Sequence, residues 1–262
     1  PGGGAAVKQQ RAFQRNLIVS WAGVIVVLIL WQLANTLRLV NPGVFPGPLQ
    51  ILDTALNRFP AADVLDHARI SVQRVFFGFL IGGGLGMVTG ILAGWYRLFG
   101  KLIWGPIEIL RPIPPLAWIP IALMWFGLGE QSKVFIISLG AFFPVVTNTY
   151  KGMISVDPML FRAAQSIGLR GPRLLAQIAV PASLPDIAVG IRVGWSLSFG
   201  SLVAAEVLAS NRGLGYMIMY GRELGEVEVI VYGILLIGLL NLLTDYLIFN
   251  LLFKRQLRWY FG

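Results

Sequence analysis

Six stretches of this chain, 17–37, 72–95, 102–126, 134–150, 187–208 and 230–253, are apolar runs of the length a membrane-crossing helix needs, which is about 20 residues. Few folds are open to such a chain. In hydrocarbon, backbone N–H and C=O groups find no water, so each crossing segment has to satisfy its own as a helix. Composition agrees, with 56% hydrophobic and only 13% charged residues in 262, against about a quarter charged in soluble domains. The expected fold is therefore an all-α integral membrane protein with six transmembrane helices. The net charge of +9 comes from basic residues scattered between apolar runs, a pattern of membrane flanks rather than of a nucleic-acid surface. With no cysteine and a single histidine, His67, disulfides, thiol catalysis and histidine metal clusters are excluded.

Charge at the flanks sets the orientation. Lys8, Arg11, Arg15, Arg97, Lys101, Lys151, Arg162, Arg170, Arg173, Lys254, Arg255 and Arg258 fall on one side. Arg38, Arg58, Arg69, Arg74, Lys133, Arg212 and Arg222 fall on the other, matched by Asp53, Asp63, Asp66, Glu130, Glu223, Glu226 and Glu228. The positive-inside rule places the first side, and with it both termini, in the cytoplasm. Residues 1–16 read as a flexible tail, 17–71 as a first span with an external loop, 72–253 as a five-helix core carrying a cytoplasmic loop at 151–186, and 254–262 as a second tail. The basic residues before 17–37 resemble the start of a signal peptide, but the run is too long and no small-residue cleavage site follows, so a retained span is expected.

Turn signals at Asn41-Pro-Gly and Phe45-Pro-Gly-Pro precede an amphipathic stretch at 49–59, read as an interfacial helix. His67, beside Asp66, is assigned a helix-start or interfacial role. The second span carries Gly78, Gly82, Gly86, Gly90 and Gly94, one every four residues. A small-residue face of this kind lets two helix backbones approach closely. In the third span, Glu108-Ile-Leu-Arg111-Pro-Ile-Pro-Pro-Leu-Ala-Trp-Ile-Pro120 sets two charges and four prolines inside an apolar run. Proline removes backbone donors and kinks helices, so this segment is expected to face protein or an aqueous path. Glu108 and Arg111 are spaced to pair on one face, leaving two readings: a neutral pair that holds the kink, or an Arg111 that lines a pathway. Arg192 and Glu206 in the fifth span carry the same two meanings, with snorkelling a further one for Arg192. Pro112 and Trp118 are placed on the pathway with them. The external stretch 210–228, rich in glycine and mixed charge, reads as a loop that meets a soluble partner or simply solvent.

The loop 151–186 is too long to be structureless in a compact protein. Asp157 suits an N-cap, Pro158 a first helical turn and Gly168 a stop. Pro172 then opens a second short helix with Leu174, Leu175 and Ile178 on its apolar side, and Pro181 closes it. The expectation is a helix–turn–helix with Ala163, Ala164 and Gly168 at an open corner.

At this loop, Ala163-Ala-x-x-x-Gly168, nine residues and Ile178-x-Val-Pro181 resemble the cytoplasmic EAA motif of the permease subunits of ABC importers. Arg162 stands where the family consensus has Glu, and Val180 where it has Leu. Trp125-Phe-Gly-Leu-Gly-Glu130, Leu202-Val-Ala-Ala-Glu206, Arg212-Gly-Leu-Gly215 and the proline-rich segment extend the likeness to permeases of the taurine, aliphatic sulfonate, nitrate and bicarbonate group. The resemblance covers roughly residue 46 to the end.

That resemblance implies a type I importer in the bacterial cytoplasmic (inner) membrane. It would contain two permease copies, expected to be identical, two cytoplasmic ATPase subunits and a periplasmic or extracellular substrate-binding protein, carrying a small anion of sulfonate or taurine type ahead of nitrate or bicarbonate. Arg162, Ala163, Ala164, Gly168, Leu169 and Pro181 would meet the ATPase. No phosphate-binding Gly-x-x-x-x-Gly-Lys-Ser/Thr run occurs in these residues, so ATP and Mg would be used by partner subunits and this chain would be no enzyme and bind no cofactor. Two other classes stay in view: a stand-alone secondary anion transporter or channel, which has no use for a docking loop, and a membrane enzyme, for which no acid–base or metal constellation is visible.

Overall fold

A computed structural model describes residues 22–248. The tails expected at 1–16 and 254–262, and the outer parts of the first and last spans, lie outside the described residues. Among these, helices account for nearly all regular structure: α1 (Ala22–Thr36), α2 (Pro48–Asp53), α3 (Ala61–Trp95), α4 (Arg97–Leu110), α5 (Ile119–Phe126), α6 (Glu130–Ile154), α7 (Pro158–Ser166), α8 (Gly171–Leu174), α9 (Val180–Ala209), α10 (Leu214–Leu224) and α11 (Val227–Ile248). Four segments are long and apolar enough to cross a membrane: α3, α6, Gly171–Ala209 and α11. A fifth results if α4 and Pro115–Phe126, bent 90° apart, count as one. Apolar α1 is the described part of the first expected span.

The chain divides into two compact units, one of residues up to Pro60 with Tyr220–Tyr232, the other of Ala61–Met219 with the residues from Gly233 on. In the first, Asn35 Nδ2 donates to the Phe45 carbonyl at 2.9 Å and the Trp31 ring lies 5.6 Å from that of Phe45, which folds the turn signals back onto α1. The amphipathic stretch is helical, as its pattern predicts, but only α2 is an α-helix; the chain continues in a wide π turn over Thr54–Arg58. Arg58 pairs with Glu226 and lies 3.7 Å from Glu228.

The second unit is built on α6, which runs between α3 and α9 in extensive contact with both. The glycine stripe of α3 is the α6 seam. A methyl group on Gly82 would overlap the Ser138 carbonyl, and one on Gly78, Gly86, Gly90 or Gly94 would strike Ile137, the Phe142 carbonyl, Thr149 or Met153 in turn. The opposite seam repeats the device from both sides: Gly140 of α6 sits against Ser201, while Gly190 and Gly194 of α9 sit against Asn148 and Val145. Where lipid supplies no hydrophobic drive between helices, such close backbone approach is what gives packing energy.

Two sequence expectations are corrected. Pro181 does not end a helix, because the chain runs nearly unbroken from Gly171 to Ala209. A π turn at Leu175–Ala179 ends two residues before Pro181, and the widened turn accommodates the residue that lacks an N–H. The external stretch 210–228 is largely the helix α10, whose glycines disguise its period; Gly215 and Gly221 are close-approach positions against Glu206 and Val229.

Candidate functional site

The third span does more than kink. α4 stops at Leu110, residues 111–114 turn the chain, and the 3₁₀ turn Pro115–Trp118 leads into α5 at 90° to α4. With consecutive prolines at 114 and 115, the backbone cannot carry the α4 hydrogen-bond ladder through. Beside this break lies a cavity of about 460 Å³, walled by Ile113, Pro114, Pro115 and Leu116 of the turn, Leu139, Gly140, Phe143, Pro144, Thr147 and Asn148 of α6, and Val193, Leu197, Gly200, Ser201 and Ala204 of α9, with Arg111 at its edge. Its walls are predominantly apolar. Thr147, Asn148 and Ser201 donate to carbonyls four residues earlier on their own helices, so their acceptor oxygens remain for the cavity. Arg111 forms no salt bridge among the described residues and is its one cationic lining group.

Of the expected pathway residues, the structure brings only Arg111 to this cavity. Glu108 does not pair with Arg111; it accepts a 2.8 Å hydrogen bond from Trp104 Nε1, one turn back on α4. Pro112 is exposed in the turn, and Trp118 packs against the cluster of Ile119, Ala122, Ile136 and Ala205. Arg192 turns instead to Asp245 of α11, with Nη2 at 2.8 Å and Nε at 3.0 Å. Glu206 is fully buried and receives Arg74 Nη1 at 2.7 Å, Ser71 Oγ at 2.9 Å and the Gly215 N–H at 2.8 Å. Sequence reading misses Arg74 as its partner because nothing local links positions 74 and 206.

The loop between α6 and α9 folds as its cap signals predict. Asp157 accepts from the Met159 N–H at 2.7 Å, and Gly168, at φ 86°, ends α7 with its N–H on the Gln165 carbonyl. Leu169 N–H closes on the Ala164 carbonyl at 3.1 Å. The Phe161 ring, 6.3 Å from that of Trp95, ties α7 to the end of α3. One expected corner residue is turned inward: Ala164 is buried, whereas Arg162, Ala163 and Gly168 are exposed. Met159, Ala163 and Ile167, four apart, form an uncovered stripe beside Leu160, with Met159 64% and Ile167 77% exposed. That period of four is present in the sequence, but only the Ala and Gly positions of the motif draw the eye.

A multi-pass helical membrane protein with a broken span over a lined cavity, and a capped, apolar-faced helix projecting between two other spans, is a transport protein of the permease class. The chain belongs to the family described as binding-protein-dependent transport system inner membrane component, whose profile matches residues 86–257. It is 40% identical over 223 residues to a protein of Methanocaldococcus jannaschii named as an ABC transporter permease, covering 83% of each chain. It is 36% identical to a Bacillus subtilis protein named as an aliphatic sulfonates transport permease, covering 89% of this chain and 84% of that one. Its fold is that of a solved inward-facing structure of the methionine ABC transporter MetNI, at TM-score 0.51 and 19% identity, covering 71% of this chain and 93% of that one. These matches make it an ABC importer permease of the type I fold and set aside the stand-alone secondary transporter.

Proposed function

We propose that this chain, paired with a second copy, forms the translocation path of an ATP-driven importer for a small organic anion of the sulfonate type. The observation that carries this is the cavity at the α4–α5 break, where one Arg111 borders predominantly apolar walls. A cation held at membrane depth is costly, and one that borders a cavity without an acidic partner has a use for an anion. An apolar wall suits the hydrocarbon part of an alkanesulfonate, the cargo named for the B. subtilis relative.

In this reading α7 is the docking element for a separate ATPase subunit, which binds ATP and Mg. Arg162, Ala163, Gly168 and the stripe of Met159 and Ile167 form its face, while Ala164, Leu169 and Pro181 hold its shape from within. The membrane is the cytoplasmic (inner) one with both termini inside, and an external binding protein delivers the anion to the opposite end. Rigid movement of α7, tied to α3 through Phe161 and Trp95, would transmit ATPase closure to the bundle. The test is uptake of radiolabelled ethanesulfonate into proteoliposomes carrying the permease with its ATPase and binding protein. Uptake that requires both partners and ATP supports the proposal; equal uptake by the permease alone overturns it.

A further inference from the structure

A second cavity, about 410 Å³, lies among the parts of the same unit that meet at the start of α6 and the end of α9, and Arg74, Glu130, Gln73, Asn211 and Arg212 line it with Ile70, Phe77 and Val134. We infer that this cavity is a binding site for a small organic anion, with Arg212 as its charge partner. The inference rests on the importer reading, which makes this the outward end, and extends it to where the anion is held before it reaches Arg111.

The charges in the wall are matched, with Arg212 left over. Arg74 gives Nε and Nη2 to the two oxygens of Glu130, both at 2.6 Å, and Nη1 to Glu206. Lys133 Nζ adds a 3.0 Å bond to Glu130. Two carboxylates thus face two cations, and all of these groups are committed to each other. The guanidinium of Arg212 makes no hydrogen bond or ion pair among the described residues, and neither do the side-chain amides of Gln73 and Asn211. Three sets of donors therefore line a cavity whose one lining carboxylate, Glu130, is held by Arg74 and Lys133.

The position of Arg212 is also fixed. Its carbonyl accepts from Arg74 Nη1 at 2.7 Å, and the next three backbone N–H groups are each held: Gly213 by His67 Nδ1 at 2.9 Å, Leu214 by Ser71 Oγ at 2.9 Å and Gly215 by Glu206 at 2.8 Å. Gly213 takes φ 113°, which no other residue type adopts without strain, and its Cα faces the Glu206 carboxylate. A turn clamped at four successive residues fixes the backbone from which the Arg212 side chain projects, so binding there need not order the loop. Ile70, Phe77 and Val134 supply a surface for a short hydrocarbon tail, so an organic acid anion fits better than an inorganic one.

The test uses the permease–ATPase complex in lipid nanodiscs without binding protein, titrated calorimetrically with ethanesulfonate and, separately, nitrate. Ethanesulfonate should bind the wild-type complex more tightly than nitrate does. Arg212→Gln should raise its Kd by about tenfold or more, as expected for loss of a charge-assisted contact, while Arg212→Lys keeps most of the affinity. Absence of binding, an affinity unchanged in Arg212→Gln, or a loss confined to Arg111→Gln overturns the inference. So does an Arg212→Gln complex that binds ethanesulfonate normally but no longer binds the binding protein, which would assign Arg212 to protein docking. ATP-driven uptake by the wild type is scored independently, so the importer reading can stand when this site falls.

Discussion

Arg74 of α3 and Glu206 of α9, 2.7 Å apart and both buried, join the two helices that flank α6. Glu206 is completely removed from solvent, and its carboxylate is held by a guanidinium, a hydroxyl and a backbone N–H. Stripping one partner from a buried pair leaves an uncompensated charge, which costs about 3–5 kcal/mol. Arg74→Met is therefore expected to lower the melting temperature of the detergent-purified permease sharply. Because the lone carboxylate causes the loss, adding Glu206→Gln should recover part of it; a double variant no better than Arg74→Met would show that the pair is not the source.

The α3–α6 seam separates glycines that are needed from those that are not. Gly82 faces the Ser138 carbonyl, whereas Gly84, two residues on, has open space where a methyl would go. Gly82→Ala should cost about 1–3 kcal/mol by forcing the helices apart, and Gly84→Ala should be neutral within about 0.5 kcal/mol. Thermal unfolding of both variants in one detergent checks the contrast.

Arg111 and Arg192 are both arginines within apolar segments, and the structure gives them different surroundings. Arg192 is bound to Asp245 and its side chain is 53% exposed. A pair this open is worth at most about 1 kcal/mol. Arg192→Gln should leave ATP-driven uptake within about twofold of wild type, a ratio of under about 0.5 kcal/mol, and shift stability only slightly. A loss of uptake as large as that expected for Arg111→Gln would place Arg192 on the path after all.

Much of this was legible in the sequence, where a local period or cap carried it. The α3 glycines announce their seam by spacing, and Asp157, Pro158 and Gly168 announce α7. The proline-rich segment signals a break, but its 90° reversal depends on what α5 packs against, which no local pattern encodes. The same holds for Glu206, Arg192 and Glu108, whose meanings were set by Arg74, Asp245 and Trp104. Two of these partners lie more than fifty positions away, and the third, Trp104, is one turn back on α4, where it takes the Glu108 carboxylate in place of Arg111. The α9 glycines pass unnoticed because Gly190 and Gly194 are only two, too few to stand out as a stripe like that of α3.

The uncovered stripe on α7 gives a prediction of its own. Met159 and Ile167 make no core contribution, so Met159→Asp or Ile167→Asp should leave permease stability within about 0.5 kcal/mol. Either charge, set against an apolar partner surface, should reduce co-purification of the ATPase subunit by about tenfold, the effect of one unpaired buried charge or more. Pull-down of the ATPase with the tagged permease, beside a melting curve, reads both.

The most direct measurement is initial uptake of ethanesulfonate by the complete complex in proteoliposomes, comparing wild type, Arg111→Lys and Arg111→Gln at saturating ATP and binding protein. If Arg111 offers its charge to the anion at the α4–α5 break, Arg111→Gln loses about tenfold or more of the rate, as for a missing charge-assisted hydrogen bond, while Arg111→Lys keeps a substantial part and the ATPase still binds both. Wild-type uptake in Arg111→Gln would contradict the account and reduce the broken span to a structural turn.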